Sequence, residues 1–112
     1  MAERRAAMKA AAEASRLEKA RGNYESDIYN TLFSAWSLPY SRTSVKCSVE
    51  LTLDRSGKIL SHQFLNNCND FYVYSIEEAI RKVKYFKRVE SGIFRNTEVI
   101  NFIDNVTSSS IG

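Results

Sequence analysis

Val45-Lys46-Cys47-Ser48-Val49-Glu50-Leu51-Thr52-Leu53 alternates apolar and polar side chains and leads through Asp54-Arg55-Ser56-Gly57 into a second apolar run. Alternation at period two places Val45, Cys47, Val49, Leu51 and Leu53 on one face and Lys46, Ser48, Glu50 and Thr52 on the other, the pattern of a half-buried strand. Gly57 can supply the positive φ that closes a turn. The return strand is expected over about 58–65, carrying Ile59, Leu60, His62, Phe64 and Leu65 with less regular alternation. The stretch predicts a β-hairpin packed on one side, with a cysteine on its buried face.

Upstream, Tyr24, Ile28, Leu32 and Trp36 recur every four residues, and Phe33 and Ala35 widen the stripe, as in a helix that presents one face to a core. Leu38-Pro39 should stop that helix near Trp36 or Ser37, because proline disfavours helical geometry in the residue before it. Residues 2–21 are rich in Ala, Glu, Lys and Arg, with Met8 and Leu17 as their large apolar side chains. Such a segment forms a helix with almost nothing to bury, so a solvated linker helix is expected, with a break or joint at Gly22-Asn23.

Downstream, Asn66 to Asp70 reads as a polar loop, and Ser75-Ile76-Glu77-Glu78 has the form of a capping box that opens a second helix. Ile76, Ala79, Ile80 and Val83 make its apolar stripe, while Arg81, Lys82 and Lys84 fall near its carboxyl end, where positive charge suits the helix dipole. Tyr85 to Asn96 predicts a short helical turn around Ile93 and Phe94, Thr97 to Ile103 a third strand, and Thr107 to Ser110 a frayed tail. The expected class is α+β: a three-stranded antiparallel sheet with helices on one face, in the order α-β-β-α-β. The expected organisation is a polar helical segment over 1–22, a domain over 23–106 and a tail over 107–112.

A chain of 112 residues allows one domain, and its polar start makes the folded unit smaller still. The net charge of +3 is unevenly placed: residues 1–22 carry six Lys or Arg against three Glu, which leaves the rest of the chain neutral. A neutral domain argues against a general nucleic-acid binder, although Arg81, Lys82, Lys84, Lys87 and Arg88 would supply a patch for a small nucleic-acid module. Charged residues interrupt the first segment too often for a signal peptide or a bilayer-spanning helix. If the protein works outside the cytosol, the chain is expected to be a piece of a longer one.

Enzyme signals are weak. His62 lies in a strand without a recognisable nucleophile or acid arrangement, and one His with two separated Cys has no zinc spacing. Glu77 and Glu78 read as capping residues, and no catalytic residue, metal site or cofactor is expected. Cys47 and Cys68 can be read as a disulfide closing a loop of about twenty residues, worth roughly 3 kcal/mol in the chain-entropy account, or as two reduced thiols.

The order helix, hairpin, helix, strand carries a resemblance. Tyr24-x-x-x-Ile28 and Trp36 open the domain, Cys47-Ser48-Val49-Glu50-Leu51 leads into the Asp54 to Gly57 turn, and Cys68 precedes the second helix. Ile93-Phe94-Arg95-Asn96 then stands ahead of Ile100-Asn101-Phe102. Over residues 24–104 this resembles the C-terminal periplasmic domain of the TolA family and, more distantly, that of the TonB family, while residues 2–21 resemble the end of a TolA stalk. Those domains commonly carry prolines after the second helix, and Phe86-Lys87-Arg88-Val89-Glu90 has none.

The resemblance implies a non-enzymatic periplasmic interaction domain of the Tol-Pal system that binds TolB and Pal and maintains the outer membrane during division. It implies coupling to TolQ and TolR through an inner-membrane anchor, and exploitation by the minor coat protein of filamentous phage and by colicins. It also implies that Cys47 and Cys68 are paired. The alternatives are a TonB-like energy transducer serving outer-membrane transporters, or the small basic nucleic-acid module. On the TolA-like reading, Thr97, Glu98, Val99, Ile100, Asn101, Phe102 and Ile103 form an edge strand that an extended partner segment can join. Tyr85 and Phe86, with Lys84, Lys87 and Arg88, are expected to line the groove and select the partner. Proline at Ile100 is expected to remove a donor that the partner needs.

Overall fold

The order of elements follows from where the apolar periodicity changes from four to two and back. The computed structural model describes residues 2–106, and the tail expected over 107–112 lies outside them. Helix α1 spans Ala2–Ala35, strand β1 Val45–Leu53, strand β2 Ile59–Phe64, helix α2 Asp70–Val83 and strand β3 Thr97–Asp104. The class is α+β and the order is α-β-β-α-β. The sheet order is β2-β1-β3, antiparallel throughout, so the alternating strand is central and both its neighbours are edges.

Burial on β1 follows its sequence pattern: Cys47, Val49, Leu51 and Leu53 are buried. They meet Tyr24, Ile28 and Leu32 of α1 and Tyr72, Ile76 and Ile80 of α2, with Ile100 and Phe102 of β3 completing the core. The two helices share one face of the sheet. Phe33 and Trp36 of α1 set their rings edge-on to Phe102, 5.6 and 5.2 Å between centroids, so α1 lies behind β3. Glu77 of α2 reaches His62 on β2, which places α2 behind the other edge. The Trp36 indole donates to Ser75 Oγ at 2.9 Å and joins the helices.

Asp54 builds the turn. Its Oδ1 accepts from the amides of Ser56 and Lys58 at 2.9 and 3.0 Å, and Gly57 adopts φ of 97°. A side chain on Gly57 would strike the Phe86 carbonyl, so the position needs glycine for space as well as for conformation. Cys47 and Cys68 form a disulfide with Cα atoms 5.9 Å apart, tying the central strand to the loop after β2.

Three expectations change. The helix does not break at Gly22: α1 continues through it, because strong helix formers precede it, the core stripe follows it, and one glycine costs only about 1 kcal/mol. The last turns of the polar segment also dock. Leu17 and Ala20 pack against the core, Arg21 Nη2 donates to the Gly92 carbonyl at 3.0 Å, and Arg16 bridges Glu13 and Glu90. Helix α2 begins at Asp70, not at Ser75. Asn69 is its cap, its side chain accepting from the Tyr72 amide at 3.1 Å, whereas Ser75 is buried within the helix and donates to the Tyr72 carbonyl. Glu77 and Glu78 therefore cap nothing; Glu78 pairs with Arg81.

Candidate functional site

An antiparallel ladder spends the backbone groups of every second residue on one neighbour. Leu53 donates to the Asn96 carbonyl at 2.7 Å, and the register pairs Leu51 with Glu98, Val49 with Ile100 and Cys47 with Phe102. Glu98, Ile100 and Phe102 therefore turn their N–H and C=O groups towards β1. Thr97, Val99, Asn101 and Ile103 turn theirs outward, and no described element pairs with them. The amide of Ile100 is thus committed inside the sheet, which corrects the expectation that a partner uses it. The outward donors lie at Thr97, Val99, Asn101 and Ile103.

Side chains alternate in the same phase, perpendicular to the sheet. Val99 (52% exposed) and Ile103 (43%) stand on the open face of the sheet, while Ile100 and Phe102 enter the core. Ser48 Oγ donates to Asn101 Oδ1 at 2.7 Å across the open face. At the far end of β3, Asp104 is buried and doubly bonded by Arg42, at 2.6 Å to Oδ1 and 3.1 Å to Oδ2, while the Tyr72 hydroxyl donates to Oδ2. The Arg42 contact holds the Asp104 carboxyl below its usual pKa, and burial, with Asp104 beside it, pushes the Tyr72 hydroxyl up.

A groove of about 750 Å³ follows the other half of the strand, between Glu25 and Tyr29 of α1 and residues 95–101. Glu98 is one of its lining residues, only 7% exposed, and its Oε1 has no hydrogen-bond partner among the described residues. The Tyr24 hydroxyl and Arg21 Nε are buried and unpartnered in the same way. Burial, then the nearby Glu25, raises the Glu98 pKa.

The segment Lys84 to Arg88, expected to select the partner at β3, does not lie there: Lys84 to Phe86 run beside the start of β2. Ile59 donates to the Lys84 carbonyl at 2.9 Å, Phe86 donates to Gly57 at 2.7 Å, and Lys58 bridges Tyr85. Phe86 is buried, Tyr85 is exposed, and Lys87 and Arg88 face Tyr24 and Asp27 of α1. With β1 between the two edges, none of these five residues lines the β3 groove. Glu25 and Tyr29 do, one position beyond the Tyr24 and Ile28 stripe, and that spacing was the only trace of them in the sequence.

Two further features lie elsewhere. His62 Nε2 and Glu77 Oε2 are 2.8 Å apart, a pair that sequence spacing does not reveal because fifteen residues separate them. Exposed Leu38, Tyr40, Phe71 and Tyr74 surround a second groove between the α1–β1 loop and α2. Among the described residues, no group of three His, Cys, Asp or Glu could hold a metal ion, and no helix is long and apolar enough to cross a membrane. No protein-family model, no curated protein and no solved structure matches this chain.

Proposed function

We propose that this chain is the C-terminal interaction domain of a TolA-like envelope protein, and that it captures an extended segment of TolB as a fourth strand on β3. The observation that carries the proposal is the eight-residue edge Thr97–Asp104, whose outward backbone groups have no pairing strand among the described residues. The disulfide supports an oxidising compartment such as the periplasm, since cytosolic thiols are kept reduced. The order of elements and the positions of the two cysteines support the TolA-like assignment. Pal is the second partner on this reading, TolQ and TolR act through a membrane anchor, and filamentous phage and colicins exploit the domain. The mechanism is adhesion and needs no reaction: main-chain hydrogen bonds hold the partner, and alternate side chains select it.

The test is calorimetric titration with the N-terminal segment of the host's TolB. Val99→Pro removes one outward donor without touching the β1 ladder and should abolish binding, whereas Val99→Ala should retain it. A folded Val99→Pro protein that binds as well as the parent places the interface elsewhere.

A further inference from the structure

We infer that the groove beneath the β3 edge selects its partner segment through a Lys or Arg side chain placed opposite Glu98, with an apolar side chain two residues before it. The inference rests on the strand-addition reading and adds the chemistry of the partner.

The starting point is an unsatisfied carboxyl group. Glu98 is more than nine-tenths buried, yet Oε1 accepts no hydrogen bond among the described residues. Burying such a group without a partner is costly, and folded proteins leave few of them. Neither neighbouring cation bonds Oε1, and the buried Arg21 Nε is itself without a partner among the described residues. Arg21 donates from Nη2 to the Gly92 carbonyl, and Arg95 Nη1 lies 4.0 Å from Glu25 Oε1. The groove lining carries two carboxylates, Glu25 and Glu98, against one cation, Arg95; its other side chains are uncharged. Its charge therefore complements a cation.

The register says where that cation must sit. Glu98 spends its backbone groups on Leu51, so an antiparallel strand added outside meets it at a non-hydrogen-bonded position. Cα atoms at such positions are about 4.5 Å apart and their side chains are at their closest. The added side chain points to the helix side of the sheet, between Glu98 and the Glu25–Tyr29 face of α1. Two residues earlier in the partner, the next side chain on that face meets Ile100 and Tyr29, an apolar surface. The recognised pattern is apolar-x-Lys or apolar-x-Arg. Burial, with Glu25 adding to it, raises the Glu98 pKa, and Arg21 and Arg95 oppose the rise; an incoming ammonium or guanidinium group acts in the same sense as these two.

The experiment uses the full chain and three synthetic ten-residue peptides of alternating apolar pattern, identical except for Lys, Met or Glu two residues after a central Val. Affinity is read by calorimetry and the binding site by the amide NMR shifts of Val99 and Asn101. The Lys peptide should bind about tenfold more tightly than the Met peptide, and the Glu peptide more weakly than either, as close charge pairs at interfaces allow. Glu98→Gln should erase the difference between Lys and Met. If that variant does not fold, the Lys-to-Glu comparison on the parent protein still decides. Equal affinities for Lys and Met, with the Val99 and Asn101 amides shifted, overturn selection by Glu98 while strand addition stands. Unshifted amides with every peptide and with the TolB segment overturn strand addition as well.

Discussion

The two edges of this sheet are built differently. β2 is six residues long, carries a bulge at Leu60, and is strapped along its start by Lys84, Tyr85 and Phe86. β3 is eight residues long, pairs with β1 in unbroken register, and has a groove along its outer side. An exposed edge is a template for pairing, and proteins shorten, bend or cover the edges that should remain alone. The segment after α2 covers the start of β2, whereas the outward backbone groups of β3 have no pairing strand among the described residues.

The largest expected effect separates inward from outward residues of β3. Ile100→Pro removes a ladder donor and a buried side chain and should cost more than about 3 kcal/mol in urea denaturation, whereas Val99→Pro, at a solvent-facing edge position, should cost far less. Equal losses would mean that the alternation has been misassigned. Gly57→Ala attacks the closed edge, combining a positive φ with a clash against Phe86; a loss of about 2–4 kcal/mol is expected, with faster hydrogen exchange at Ile59 and Phe86. Reduction of the Cys47–Cys68 bridge should lower stability by about 3 kcal/mol, measured by denaturation with and without dithiothreitol.

Acid should act at the two ends of β3 with opposite signs. The Asp104 carboxyl is held below its ordinary value of 3.8, so its contribution is present above that pH and is lost as pH falls through the lowered value. Asp104→Asn should cost about 1–3 kcal/mol at neutral pH and flatten the acid limb of the stability curve. The Glu98 carboxyl lies above its ordinary 4.5, so the folded state binds the extra proton and stability declines as pH rises from 4.5 through the raised value. Glu98→Gln should remove that decline and raise the neutral-pH melting temperature; a lower melting temperature would mean that the carboxylate is satisfied. The smallest effect is a control. A methyl group at Gly22 meets nothing within 4 Å, so Gly22→Ala should stabilise by about 0.5–1 kcal/mol and leave both edges unchanged.

Local periodicity made most of this fold legible. The β1 alternation matches burial at every second residue from Cys47 to Leu53, and Asp54 with Gly57 marked the turn, because these patterns depend on near neighbours. The start of α2 is ambiguous in the sequence because Asn69 and Ser75 are both residues that cap helices, and exposed Phe71 and Tyr74 obscure the helical stripe that begins at Tyr72. At the site, the edge position of β3 is expected from its late place in the chain together with the TolA-like resemblance, and the sheet order β2-β1-β3 has it at an edge. The groove could not. Glu25 and Tyr29 become wall residues only once α1 is known to lie behind β3, and Lys84 to Arg88 leave the site only because β1 is central.

The unbroken course of α1 has a mechanical consequence. Its 34 residues extend about 50 Å at helical rise; Arg16 and Arg21, near its middle, are bonded to Glu90 and Gly92, and the half that follows packs on the core. The helix is a lever without a hinge at Gly22, so a pull on its free half is delivered straight to the sheet. A segment paired along β3 and drawn along its own axis resists that pull in shear, with its backbone bonds loaded together and not one after another.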